Sequence, residues 1–98
     1  MKMNMHNPPH PGDFLYETYM KPFGLSCRYL ATQLDVAAST LNRVIKTQSA
    51  VTPEMALRFS KALGRSPESW LSMQDAYDLW KAKSTVNLKN VHKVEFAA

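Results

Sequence analysis

Apolar residues recur at helical spacing in five stretches of this chain, each bracketed by residues that start or stop helices. The first is HPGDFLYETYMKPFG. Pro11 suits a first helical position, where the missing N–H costs nothing, and Asp13 favours the positive end of the helix dipole. Phe14, Leu15, Tyr19 and Met20 supply its apolar side, and Pro22 and Gly24 stop it. Ser26 then caps a second helix. Leu30, Ala31 and Leu34 face inward, and Leu25 and Leu30 are spaced as a hydrophobic staple. A third helix spans about Ala38 to Lys46, with Leu41, Val44 and Ile45 inward. After the loop TQSAV, Thr52-Pro53-Glu54 reads as a cap, a proline at the first position and an early acid. The fourth helix buries Met55, Ala56, Phe59, Ala62 and Leu63 before Gly64 ends it. Ser66-Pro67-Glu68 repeats that start for a fifth helix reaching about Lys83. The pattern predicts an all-α domain over residues 10–83, preceded by a disordered segment, 1–9, and followed by a tail, 84–98. In the tail TVNL is β-prone and VHKVEF alternates, which predicts a short extended piece.

The run LATQLDVAASTLNRVIK, residues 30–46, loses its helical rhythm at LDVA. Two short helices set at an angle account for the break. On the third helix, Ala38, Ser39, Asn42, Arg43 and Lys46 share the side opposite Leu41, Val44 and Ile45. Small residues at its start permit close approach to base edges. The Asn42 amide matches an adenine edge, and the Arg43 guanidinium matches guanine O6 and N7. Lys46 suits a phosphate, as do the Ser26 hydroxyl and the N–H groups beside it at a helix N-terminus. Two short helices with the second aimed at a major groove make a helix-turn-helix. A polar, solvated helix surface would share the outward residues alone, but not the capped helix pair, the tight turn and the inward triplet together.

Charge adds to this picture through its placement. Residues 26–65 carry Arg28, Arg43, Lys46, Arg58, Lys61 and Arg65 against Asp35 and Glu54, a surplus equal to the whole chain's +4. A localised basic region suits a polyanion partner. Ninety-eight residues fit one small domain. With Cys27 as the only cysteine, an intrachain disulfide and a cysteine zinc site are both excluded, and one free thiol fits a reducing compartment. The N-terminus lacks the apolar core of a signal peptide and no run approaches a membrane span, so a cytoplasmic protein with no membrane partner is expected.

Enzyme chemistry finds little support. His6 and His10 are four apart, but Pro8 and Pro9 prevent the helix that would make them a ligand pair. His92 stands alone. Cys27 lies at a helix N-terminus, where thiol acidity could rise, yet it reads as a residue near the core or the DNA. No glycine-rich phosphate loop or paired-carboxylate pocket is evident, and no metal or cofactor is expected.

On the fifth helix Trp70, Met73, Ala76, Tyr77, Leu79 and Trp80 cover about half the circumference, more than the ~100° stripe one small core requires. Trp70 is expected in the core with Phe59 and Phe23. Met73, Tyr77 and Trp80 are assigned to a partner chain. A two-fold pair of helix-turn-helix units would reach grooves about one DNA turn apart and read a palindrome.

Over residues 10–83 the chain resembles the HigA-type antitoxins, a branch of the phage-repressor-like (XRE) helix-turn-helix family. HPGDFLYETYMKPFGLS is similar to the family's opening segment, LATQLDVAASTLNRVIK falls on its helix-turn-helix, and VTPEMALRFSKALGRSPESWLSMQDAYDLWKAK is similar to its second half. The resemblance implies a five-helix repressor-like fold, a homodimer and a palindromic operator. It also implies a HigB-type toxin partner, a ribosome-dependent mRNA endonuclease, and repression of the promoter the two proteins share. A solitary XRE-family transcriptional regulator without a toxin is the alternative. The family's base-reading positions fall on Ala38, Ser39, Thr40, Asn42 and Arg43, with Ser26 and Lys46 for the backbone. Two positions depart from the family. Asp35 stands where the turn usually carries glycine, and Ala37 where the third helix often has a serine cap, so that the helix starts either after Ala37 or at Ser39.

Overall fold

The computed structural model describes residues 7–97. Helix α1 runs Pro11–Leu15 and passes directly into a π-helical turn, Tyr16–Met20. Then come α2 (Cys27–Leu34), α3 (Ala38–Ile45), α4 (Pro53–Leu63) and α5 (Pro67–Thr85). No strand occurs among the described residues, so the fold is all-α with five helices, as expected. Of the segment expected to be disordered, residues 1–6 lie outside the described residues, and Asn7–Pro9 form no helix.

Three helices start as their sequences require. The side-chain oxygens of Ser26, Thr52 and Ser66 accept from the amides of Tyr29, Met55 and Ser69 at 3.0, 3.2 and 3.1 Å. The α1 cap is His10, whose Nδ1 accepts from the Gly12 amide at 2.9 Å. At α3 the open choice resolves to Ala37 as N-cap, with no side-chain bond there. The π turn was not foreseen. In it, the amide of Lys21 reaches back five residues to the Tyr16 carbonyl, at 2.8 Å. Residues five apart sit about 140° apart on an ordinary helix, and the wider turn is what brings Leu15 and Met20 into one core.

Trp70 lies at the centre of that core, fully buried, with Phe59, Phe14 and Tyr19 around it at ring-centroid distances of 4.8, 5.8 and 6.1 Å. Leu30, Ala31, Leu34, Leu41, Val44, Met55 and Ala56 complete it. Two assignments to the core are corrected. Phe23 is 72 % exposed, because the turn through Lys21–Gly24 carries it outward. Ala62 is exposed at the rim of an open groove between α2 and α4, while Leu63 packs only partly. Val51, read as loop, is in fact buried. Its amide donates to Gln74 Oε1 at 2.8 Å, and Gln74 Nε2 donates to Asp78 at 2.9 Å. This satisfied buried amide ties the loop leaving α3 to α5.

His10 is 3 % exposed and meets Tyr77 of α5 edge-on, with 4.9 Å between ring centroids. Burial lowers its pKa below the usual 6.5, against the opposite pull of Asp13, Asp78 and the Ser49 backbone; Lys81 adds to the lowering. The folded protein therefore binds this proton less readily than the unfolded chain. Stability from this residue is complete above about pH 6.5 and falls as pH drops from there toward the lowered value. Melting temperatures measured between about pH 5 and 8 should show this decline. The His10→Asn variant, which keeps an N-cap acceptor but does not titrate, should lack that component.

Helix α5 extends two residues beyond the expected end, and the tail after it forms no strand with any described residue. Residues 86–97 are exposed along their whole length.

Candidate nucleic-acid interface

The helix-turn-helix is built by α2, a three-residue turn and α3. Asp35 takes the left-handed conformation, φ 57° and ψ 47°, in the position where glycine would carry no penalty. Its short polar side chain tolerates that region better than most. The amides of Asp35 and Val36 turn back onto the Thr32 and Ala31 carbonyls at 3.2 and 3.0 Å and close the end of α2.

Helix α3 is held from beneath. Leu41 and Val44 are buried and Ile45 is partly so. Gly12 of α1 rests against the backbone of Val44 so closely that any Cβ at position 12 would overlap the Val44 carbonyl. The opposite side is open: Ala38, Ser39, Asn42, Arg43 and Lys46 are all exposed, whereas Thr40 is half-buried. Ser26 is exposed with its oxygen engaged in capping α2. The expected reading residues therefore share one solvent-facing strip, with Thr40 at its edge.

The charges divide in a way composition does not reveal. Arg58 is bound to Glu54 and to the turn carbonyls, and the Arg65 guanidinium lies 4.8 Å over the Phe14 ring. Both serve the fold. Arg28, Arg43, Lys46 and Lys61 are exposed, and among the described residues none of them pairs with a carboxylate. Arg43 and Lys46 thus present unneutralised charge at the end of the open strip.

Cys27 packs against the core, one of the two settings expected for it. Its Sγ donates to the Ala38 carbonyl at 3.6 Å, linking the starts of α2 and α3, and burial raises its pKa. The thiol is a packing group and not an activated one. Among the described residues no cluster of His, Cys, Asp or Glu is arranged to hold a metal, and no helix is long and apolar enough to cross a membrane.

The residues assigned to a partner chain fall in different settings. Met73 is half-buried beside Pro8 and Pro9, and Tyr77 is half-buried against His10. Trp80 is 37 % exposed and its neighbour Leu79 56 %.

A short helix braced against a second, its outward face polar and cationic, defines a DNA-binding helix-turn-helix module. The profile of the Helix-turn-helix family matches residues 17–70. An HTH-type transcriptional regulator of Escherichia coli, YddM, is 36 % identical over 94 % of this chain and 97 % of its own length. Antitoxin HigA-1 of Vibrio cholerae is 30 % identical over 86 % of this chain and 79 % of its own. Among solved structures, antitoxin GraA in complex with its operator superposes with a TM-score of 0.82 at 35 % identity, covering 100 % of this chain and 99 % of that one. The chain belongs to the helix-turn-helix family, in the company of HigA- and GraA-type antitoxins and HTH transcriptional regulators.

Proposed function

We propose that this protein is an operator-binding antitoxin, which dimerises on a palindromic site, represses its own toxin–antitoxin promoter and neutralises a HigB-type toxin. The observation that carries the reading is the open strip of α3, with Ser39, Asn42 and Arg43 exposed above a fully buried Leu41 and Val44. Its support is the full-length likeness to an antitoxin solved with its operator. Ser39, Asn42 and Arg43 read bases; Ala38 and Thr40 shape the approach; Ser26 and Lys46 hold phosphates. The reading requires no enzyme activity and places the protein with DNA in the cytoplasm.

Dimerisation is supported by shape. The radius of gyration is 17.1 Å, against about 13 Å for a compact chain of this length, and the end of α5 and the tail are exposed. Leu79 and Trp80, followed by the tail's Val86, Leu88, Val91, Val94 and Phe96, expose their apolar side chains there. A second copy of the chain would cover them. Within this interface Trp80 contributes most, while Met73 and Tyr77 already have partners in their own chain.

The test is binding to DNA from the promoter upstream of its own gene. Two chains should bind per palindrome. Arg43→Ala should weaken specific binding by about 1–3 kcal/mol and relax preference at one position, whereas Lys46→Ala should weaken all sequences alike and reduce the salt slope by about 1. Binding that ignores both sequence and salt would sink the proposal. The transcriptional-regulator relative favours a second reading, a repressor without a toxin. The two part at the adjacent reading frame: a small toxin whose growth arrest this protein relieves supports the first.

A further inference from the structure

We infer that Arg58, on α4, is the positioning residue of the helix-turn-helix: it clamps the turn between α2 and α3 and thereby sets the angle at which α3 is presented. The inference rests on the DNA-binding reading above. The end of a helix leaves carbonyls without amide partners. At α2 the backbone satisfies Ala31 and Thr32, and two carbonyls further out, those of Leu34 and Asp35, are bound by Arg58 Nη1 at 2.8 and 3.0 Å. On the other edge of the guanidinium, Nε and Nη2 both donate to Glu54 Oε2, at 3.2 and 2.8 Å. Glu54 fixes the plane of the group, and Nη1 goes to the turn. A planar fork can hold both ends at once, where a lysine ammonium cannot. The charge also lies at the negative end of the α2 dipole.

Three features make this clamp matter for α3. Asp35 holds a left-handed conformation without glycine's freedom. Only Asp35, Val36 and Ala37 join the two helices. No side chain caps the start of α3, where the one side-chain bond is the 3.6 Å contact of the Cys27 thiol to the Ala38 carbonyl. Arg58 comes from a different helix, twenty-three residues further on, and couples the turn to the rigid α4. Its side chain is 32 % exposed, and its bound donors point at the protein, so it is not a phosphate contact.

The experiment compares the full-length wild type with R58A, R58K, D35G and the double variant D35G/R58A. In R58A, amide hydrogen exchange at Asp35 and Val36 should quicken about tenfold or more while amides inside α4 hold their rates. Affinity for promoter DNA should fall about tenfold with an unchanged salt slope, because a lost phosphate contact would lower the slope by about 0.9. Glycine at position 35, at ease in the left-handed region, should restore most of that affinity in D35G/R58A, and R58K should fall between wild type and R58A. The inference is overturned by unchanged exchange at the turn, by exchange rising evenly along the chain, by a salt slope reduced by about 0.9, or by no recovery in the double variant. Should the wild type bind no promoter DNA, the DNA-binding reading fails, and the exchange rates alone decide whether Arg58 holds the turn.

Discussion

Alanine at position 12 is expected to cost this protein about 3 kcal/mol and most of its DNA binding. Gly12 is buried where α1 crosses α3, and the new methyl would have to occupy the place of the Val44 carbonyl oxygen. A flexible side chain could swing aside, but the Val44 carbonyl is backbone at the end of α3, where it accepts from the Thr47 amide at 3.0 Å, and it cannot move without disturbing that turn. The cost therefore sits at the upper end for overpacking. It is compounded at the neighbouring cap, since the Gly12 amide is the donor that His10 receives. Displacing α1 also displaces the inner support of α3, so stability and operator affinity should fall together. Urea titration of Gly12→Ala beside wild type checks the first, and promoter binding at a temperature where both remain folded checks the second. A variant as stable as wild type would mean that the two helices do not pack as described. Serine should behave like alanine, since the obstacle is the Cβ itself.

The second large effect lies at Trp70. Trp70→Ala should destabilise by about 3–5 kcal/mol, a large share of the ~5–15 kcal/mol that holds a typical domain. The indole fills the space among Phe14, Tyr19 and Phe59 and links α1, α4 and α5. One detail separates two substitutions. The Trp70 Nε1 is buried and has no hydrogen-bond partner among the described residues. Phenylalanine would remove that orphaned donor and keep most ring contacts, so Trp70→Phe should cost less than half of what alanine costs. Denaturant midpoints for the two variants give the comparison directly. Fluorescence remains usable, because Trp80 is retained in both. Equal losses would show that the ring contacts phenylalanine keeps contribute nothing, and would overturn this expectation.

Much of this architecture was legible because the sequence marks its helix ends with standard chemistry. Ser26, Thr52 and Ser66 cap, Pro11, Pro53 and Pro67 stand at first helical positions, and Gly64 stops α4. The inward triplet on α3 was readable from spacing, and so was the open strip opposite it. Asp35 in the left-handed region was foreseeable from the family resemblance, which puts it where the turn usually carries glycine, and from its tolerance of that conformation.

What escaped has a common cause: it depends on contacts distant in sequence. His10 as a buried cap requires Tyr77 above it, and nothing local distinguishes it from His6. The bond from Val51 to Gln74 spans twenty-three residues, and a glutamine in a helix pattern reads as surface. Arg58 and Arg65 counted as free charge until their partners were visible. Phe23 was given to the core on hydrophobicity alone, which cannot show the direction a turn takes. The π turn has no period of its own in so short a stretch. For the candidate interface this meant that the exposed strip of α3 was legible but too many cations were counted around it.

The separation of the two sides of α3 has an evolutionary consequence. Leu41 and Val44 carry its attachment to the fold, while Ser39, Asn42 and Arg43 support no packing. Exchanges at those three positions are therefore nearly neutral for folding, and if they read bases as proposed, a duplicated gene could drift to a new target site without first acquiring compensating stability. Sister proteins in one genome can in this way keep a common scaffold while diverging in what they recognise, which limits cross-talk between neighbouring circuits.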